Sequence, residues 1–452
     1  MGSPHRYIPN TDQNVADMLA DIGVSSIDDL FSVIPPEFRL TEPLSLPKAL
    51  SEPELSAELN RVAAKCAHSM QYTSYLGGGL YEHFVPSVVR HMLTRGEFYT
   101  AYTPYQAEVS QGTLQAIFEY QTMICELTEM DVANASLYDA GTAVAEAAVM
   151  SCGATRRNKV VVSRAINPRY RQVLRTYAHP RGIEIVTVDY DTQSGATPPE
   201  SVPKDLLEDA ACFIVQSPNY FGIVEDMAAL SEATHRSRAL FVAVVNPISL
   251  GILAPPGSYG ADIALGEGQP LGNPISFGGP LLGFFATTSK LMRKMPGRLV
   301  GQTHDDQGRR GYVLTLQARE QHIRRESATS NICSNEALCA LAATIYLSLM
   351  GPSGLRKVAE LCTWNAHYLH DKIAKIPEYE FPFDGPFFNE FAVRGRRPPA
   401  ERNRRLLERG IIGGKMIEAD YPELSGCTLW ATTETRTRQE LDTLIRELEV
   451  LA

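Results

Sequence analysis

From Val132 to Ala286 the chain alternates short β-branched runs with longer stretches whose apolar residues recur at helical spacing. Lys159 to Ser163, Ile183 to Val188, Cys212 to Gln216, Leu240 to Val245, Asp262 to Leu265 and Gly283 to Ala286 read as buried strands. Most gaps between them have the length of helical crossovers, so a mostly parallel α/β sheet is predicted. Before this region, Asp12 to Leu30 has helix-like apolar spacing, followed by Pro35-Pro36 and a Leu/Pro stretch from Pro43 to Pro53. An extended arm wrapping a neighbour and a plain N-terminal subdomain fit that pattern equally. From about Arg325 the pattern predicts a long helix, a Gly351-Pro352 break, and another helix through Trp364 to His370. Strands at Glu390 to Val393 and Cys427 to Thr432 and an amphipathic helix from Thr437 to Leu451 complete it. The predicted organisation is an N-terminal helical arm (1–65), a large α/β domain (66–325) and a small α+β domain (326–452).

Charge narrows the partners. The 452 residues carry 42 Lys plus Arg against 52 Asp plus Glu, a net charge of −10, with 44% hydrophobic residues. An acidic chain without a long basic run argues against nucleic acid and against an anionic membrane surface; the cluster Arg394 to Arg405 reads as a solvated loop and helix start. The least polar long run, Ala337 to Met350, is too short to cross a bilayer and reads as a buried helix. The N-terminus has no charged-then-apolar signal pattern, and Arg6 stands where myristoylation needs Ser or Thr. The eight cysteines are scattered without C-x-x-C pairs, as expected of reduced thiols in a cytoplasmic protein, and only Cys66 has neighbours, Lys65 and His68, that could activate a thiol.

Ligands in open α/β sheets bind beyond the carboxyl ends of the strands, so the residues after each run are the candidates for chemistry. There is no H-E-x-x-H and no closely spaced His/Cys set; His367 and His370, three apart on a helix, read as a solvated face, and no metal site is expected. Ser276 has Pro274 where a hydrolase elbow needs Gly. Gly266-Glu267-Gly268-Gln269-Pro270-Leu271 fails as a dinucleotide loop, because Leu271 replaces the last Gly and two prolines would disrupt the following helix. Asp139-Ala140-Gly141-Thr142, ahead of the small-residue helix from Ala143 to Ser151, could cradle a phosphate on Gly141 and Thr142 or serve as a simple cap. Asn246 ends a middle strand, and the strand Asp262 to Leu265 leads into a Gly/Pro loop reaching Gly278-Gly279-Pro280.

Those three features resemble the large domain of pyridoxal-phosphate enzymes of the aspartate aminotransferase type (fold type I). In such enzymes the middle-strand residue is an Asp that keeps the pyridine nitrogen protonated, and the loop carries the Schiff-base Lys. Here Asn246 is neutral, and no lysine lies between Lys204 and Lys290. Lys290 and Lys294 fall in the Ser289 to Met295 stretch, read as helical, and with Arg293 between them and Arg298 beyond they read as a basic surface face.

Longer strings sharpen the resemblance. The segment Glu97 to Gly112 (EFYTAYTPYQAEVSQG), Phe118 to Thr122, Asn134 to Ser136, Gly278 to Pro280, Pro296 to Val300, Leu316 to Arg325, Thr329 to Ile332 and Pro386 to Phe391 together resemble the P-protein (glycine decarboxylase) family of the glycine cleavage system. That family occurs as one long chain with two related halves or as two subunits, and this length matches one half. Its catalytic half carries a lysine eleven residues before the Pro of its Gly-rich loop; the corresponding position before Pro280 is Gln269. The resemblance therefore implies a non-lysine α subunit that pairs, as α2β2, with a lysine-bearing β subunit holding pyridoxal phosphate. The implied complex decarboxylates glycine and passes the aminomethyl group to the lipoyl arm of the H-protein, in the cytoplasm. No catalytic residue is expected in this chain, and Gly141 and Thr142 are expected to be a vestigial phosphate turn. Tyr99, Tyr102, Tyr105, Gln106 and Glu108 are the candidates for lining the subunit interface near the partner's cofactor, with interface packing alone as the other reading. The chain departs from the family pattern in two places: Ala140-Gly141 stands where Gly-Ala is usual, and Ser327 replaces a Lys. A free-standing pyridoxal-phosphate lyase or aminotransferase using Lys290, and a pure scaffold or regulatory subunit, remain as rival classes.

Overall fold

In the computed structural model, which describes residues 7–40, 42, 44–66, 68 and 71–452, seven strands form a central sheet. In chain order they are β1 (Val132–Ala133), β2 (Lys159–Ser163), β3 (Glu184–Val188), β4 (Ala210–Ser217), β5 (Leu240–Val245), β6 (Ile263–Glu267) and β7 (Gly283–Thr287). Their spatial order is β1-β7-β6-β5-β4-β2-β3. Strands β2 to β6 run parallel, with Val160 opposite both Ile185 and Cys212; at one edge β7 pairs antiparallel with β6, and β1 antiparallel with β7. Along β4 the side chains alternate between two cores: Phe213 and Val215 face the layer containing the helix Ala337–Ile373, while Ile214 faces the layer containing Ala140–Thr155. Burial on both faces explains why these strands are continuous apolar runs rather than alternating ones.

The small sheet orders Tyr379–Glu380, Glu390–Gly395, Cys427–Ala431 and Lys415–Met416, all antiparallel. It packs on the helix Arg438–Leu451 and the end of Ala337–Ile373, around Phe391, Trp430 and Leu444. The kink in that long helix sits at Gly351 (φ 59°, ψ −178°), directly before Pro352. Ala337–Ile373 is the one helix among the described residues long and apolar enough to cross a membrane, and residues such as Ala342, Tyr346, Ala359 and Cys362 bury it in the protein core.

Several predicted elements differ. The expected helix Asp12 to Leu30 stops at Ile22, where Gly23 takes a left-handed conformation, and resumes only as a 3-10 turn, Ile27–Phe31. The long helix starts at Ala337 rather than near Arg325, which itself has a positive φ of 51°. Ser289 to Met295 holds only the 3-10 turn Met292–Lys294. The antiparallel hairpin Leu299–His304 with Arg310–Thr315 was not anticipated; its strands are half-exposed and lack the buried-strand signature. The basic cluster Arg394 to Arg405 is not wholly solvated, since Arg402 is fully buried and donates to Thr428 Oγ1 at 2.7 Å. His367 and His370 pack on aromatic rings, His367 stacked on Phe387 with centroids 4.0 Å apart, rather than forming a solvated face. Arg6 and Pro43 lie outside the described residues.

Contacts divide the chain into two compact units, 1–67 and 68–452. In the first, Asp12–Ile22 and Glu52–Ala63 are capped by Thr11 and Ser51, yet neither helix buries a residue. The predicted 66–325 and 326–452 segments fall almost entirely within the second, where the Tyr379 sheet and the central sheet share the helix Ala337–Ile373.

Candidate functional site

The carboxyl edge of the parallel strands brings Asn246, Glu267 and the turn at Ala140 into one pocket region. Asn246 follows β5 and is committed to its own turn, its Oδ1 accepting from Ile248 N–H at 3.0 Å. Gln269 follows β6, is 1% exposed, and has every side-chain polar atom engaged. Its Oε1 accepts from Tyr81 N–H (3.2 Å), and its Nε2 donates to Tyr81 O (3.1 Å) and Asn273 O (2.7 Å). The amide thus pairs with the Tyr81 backbone as a strand neighbour would, leaving no atom free for a ligand.

Tyr81 arrives on the segment Gly77-Gly78-Gly79, which only glycine permits. Gly79 has φ +114°, and a Cβ there would lie 2.7 Å from Asn167 Nδ2. The Tyr81 hydroxyl then donates to Glu390 Oε2 at 2.8 Å, and Gly78 N–H donates to Glu390 Oε1 at 2.7 Å. The remaining space, lined by Tyr81, Tyr170, Asn219, Asn246, Glu267 and Asn389 among others, measures about 30 Å³. That is room for a water or two, against roughly 300 Å³ for a small-ligand pocket.

The anion-binding turn is filled from within. Asp139 Oδ1 accepts from Thr142 N–H at 2.7 Å and caps the helix Ala140–Thr155. Glu267 Oε2 takes the Ala140 N–H at 3.2 Å, and its Oε1 accepts from Gln269 N–H (3.0 Å) and Leu282 N–H (2.9 Å). Two carboxylates therefore take the Ala140 and Thr142 N–H groups, and Asp139 with Thr142 forms a capping box at the helix start.

Burial dominates the electrostatics here. It pushes the Glu390 carboxyl up to about 7 and that of Glu267 up to about 8, against the backbone N–H groups that favour the anions. Elsewhere in the core Glu146 and Glu225 are likewise pushed to about 7 by burial. A carboxyl whose folded value lies above its unfolded value holds a proton that the unfolded chain has released. Its stabilisation is complete below about 4.5 and is lost as pH rises through about 7. We expect the unfolding free energy to fall between pH 5 and 8. Glu390→Gln, which mimics the neutral acid, should remove up to about 3 kcal/mol of that fall. Denaturant unfolding at stepped pH checks it, and parallel profiles for the two proteins would contradict it.

Lys290 lies elsewhere. It follows β7, whose antiparallel direction carries it to the opposite edge of the sheet, where Thr288 N–H meets Asp262 O at the start of β6. It is exposed, and Lys294 donates to Gly153 O. Neither approaches Asn246.

The Tyr-rich segment is on the surface. Tyr99 is 66% and Tyr102 84% exposed, and both line a cleft of about 210 Å³ with Phe98, Ile117, Leu338 and Leu341. Gln106 and Glu108 are exposed and do not line the cleft. Tyr105 turns towards Arg298, whose Nη2 donates to its hydroxyl at 3.2 Å and whose guanidinium lies 5.3 Å from its ring centroid. Arg298 is 2% exposed, reaches Thr103 Oγ1 and Ser334 Oγ at 3.4 Å, and stands 3.6 Å from Glu320 Oε2. Below the loop, Gln111 and Gln121 each pair with both backbone groups of a hairpin residue, Tyr312 and Val300.

Cleft and filled pocket flank one element: Leu338 and Leu341 line the first, and Asn273 next to the second donates to Cys339 O. The sequence pattern does not single out Tyr81, places Glu267 and Glu390 only in a failed dinucleotide loop and at a strand start, and puts Arg298 on a basic surface face, whereas Arg298 is buried. Phe277 is not singled out either. It is 92% exposed, and it and Ser276 have left-handed φ of 58° and 45° in the loop before Gly278.

A family model described as glycine cleavage system P-protein matches residues 5–448. The chain is 53% identical over 444 residues to a probable glycine dehydrogenase (decarboxylating) subunit 1 of Geobacillus kaustophilus, covering 98% of each chain. Among solved structures, a glycine decarboxylase (P-protein) of the glycine cleavage system in inhibitor-bound form is 45% identical, with TM-score 0.91, over 99% of this chain and 100% of that one. An alanine–glyoxylate aminotransferase from Nostoc sp., 17% identical with TM-score 0.59 over 95% of this chain and 100% of that one, shares the fold. The architecture is thus that of the fold-type I pyridoxal-phosphate enzymes.

Proposed function

The chain belongs to the glycine cleavage system P-protein family, and we propose that it is the α half of a two-subunit glycine dehydrogenase (decarboxylating) whose cofactor sits on the other half. The observation that carries this reading is Gln269: a fully hydrogen-bonded amide at the lysine position, beside a pocket of about 30 Å³. A chain built this way needs a lysine-bearing β subunit, with α2β2 as the expected assembly. The complex would decarboxylate glycine and deliver the aminomethyl group to the lipoylated H-protein, in the cytoplasm.

This chain's contribution is its exposed aromatic surface. Tyr99 and Tyr102 would meet the partner beside its cofactor, where phenol hydroxyls can orient substrate and the ring bodies exclude water. Gln106 and Glu108, exposed on the same loop, complete the candidate set with Tyr105. The N-terminal unit, with Ile22, Phe31, Phe38 and Leu59 all exposed, offers further apolar surface to a neighbouring subunit.

Substitution in the reconstituted complex tests the site role. Tyr102→Ala or Gln106→Ala should lower the exchange of the glycine carboxyl with carbon dioxide on the order of 10- to 100-fold while assembly stays normal. Unchanged exchange would reduce the loop to interface packing. The position of Lys290 speaks against a free-standing lyase, which predicts a borohydride-reducible adduct on the isolated chain.

A further inference from the structure

Away from the pocket and the Tyr cleft, three residues far apart in sequence converge in the interior. His83, Cys362 and Glu434 place a ring nitrogen, a thiol and a carboxylate oxygen all within 4.8 Å of one another. His83 Nδ1 is 2.8 Å and Cys362 Sγ 3.5 Å from Glu434 Oε2, and Phe84 N–H holds Glu434 Oε1 at 2.7 Å. The side chains are 2% (His83) and 9% (Glu434) exposed, and Cys362 is fully buried. One further buried atom of the group, His83 Nε2, lacks a hydrogen-bond partner among the described residues.

We propose that His83, Cys362 and Glu434 bind a divalent metal ion of the zinc or cobalt type, with a water as fourth ligand. The donor set is one sulfur, one nitrogen and one oxygen, which suits a borderline-soft, four-coordinate ion. Bonds of about 2.0 to 2.3 Å put tetrahedral donors roughly 3.3 to 3.8 Å apart. The sulfur-to-oxygen separation already matches, and the nitrogen-to-oxygen pair must open by about half an ångström. Charge also balances. On binding, the Cys362 thiol gives its proton to solvent and the imidazole carries its proton on Nε2. One thiolate and one carboxylate then neutralise the dication in a dry interior, where an unbalanced charge would be costly. Glu434 has its outer-shell partner in place, the Phe84 N–H.

The test is to load the full chain with Co(II), remove loose metal, and record metal content and absorption. One cobalt per chain with a thiolate-to-metal charge-transfer band is expected. The band and most of the metal should be lost in Cys362→Ser and in His83→Gln, and kept in Cys66→Ser, which removes an exposed thiol. A chain that retains no cobalt overturns the proposal, as does a band that survives Cys362→Ser or disappears in Cys66→Ser. Because the first and last of these readings use the unaltered chain or a surface variant, a folding defect in Cys362→Ser does not rescue the proposal.

Discussion

Gln269→Lys should yield a chain that is less stable by about 3 kcal/mol and still takes up no pyridoxal phosphate. Restoring the amine does not restore the site. The substitution removes the acceptor for Tyr81 N–H, and a buried donor left without a partner costs about 1–3 kcal/mol. It also puts an ammonium at a position 1% exposed to solvent. The cofactor meanwhile still finds about 30 Å³ of space, and Glu267 and Asp139 still hold the Ala140 and Thr142 N–H groups. Denaturant unfolding reads the stability. Absorption and mass after borohydride read the cofactor, and a covalent adduct in the Gln269→Lys chain would show that lysine alone was missing.

Arg298→Ala has the other large expected effect. The guanidinium lies beneath the Tyr-rich loop, holding Tyr105 and Thr103 on one side and facing Glu320 on the other. Glu320 is 7% exposed, and its Oε1 has no hydrogen-bond partner among the described residues, so removing the cation leaves a buried carboxyl with only His322, 3.7 Å from Oε2, and the neighbouring Arg319 to offset it. Breaking a buried pair in this way costs about 3–5 kcal/mol. Burial already raises the Glu320 carboxyl, with Arg298 opposing that rise, so loss of Arg298 raises it further. The loop loses its anchor as well. Exchange activity in the reconstituted complex should fall with the stability of the chain, whereas Tyr102→Ala should lower activity and leave stability unchanged, because Tyr102 is 84% exposed. Equal stability of Arg298→Ala and the unaltered chain would contradict this assignment.

The parallel sheet was legible because doubly buried strands must be apolar throughout, and β2 and β5 matched their predicted limits. The hairpin Leu299–Thr315 was not legible: its half-exposed strands are held by Gln111 and Gln121, side-chain pairings that no local pattern encodes. The site divides in the same way. That no lysine lies between Lys204 and Lys290 can be read directly, as can the places of Gln269 and Asn246 just after strands. That Tyr81 pairs with Gln269, 188 residues away, cannot be read, nor that Glu390 receives its hydroxyl. Arg402 and His370 were misread for one reason: runs of polar residues look solvated until tertiary packing folds an aromatic or a strand over them.

The central claim is that this chain is the cofactor-free half of a two-part enzyme. It is tested most directly by mixing the purified chain with pyridoxal phosphate, with and without a lysine-bearing partner. Spectrum, borohydride-trapped mass and glycine carboxyl exchange are then recorded. The account predicts no adduct and no exchange for this chain alone, and an adduct confined to the partner, with exchange, in the mixture. A trapped adduct on this chain, or exchange without the partner, would contradict it.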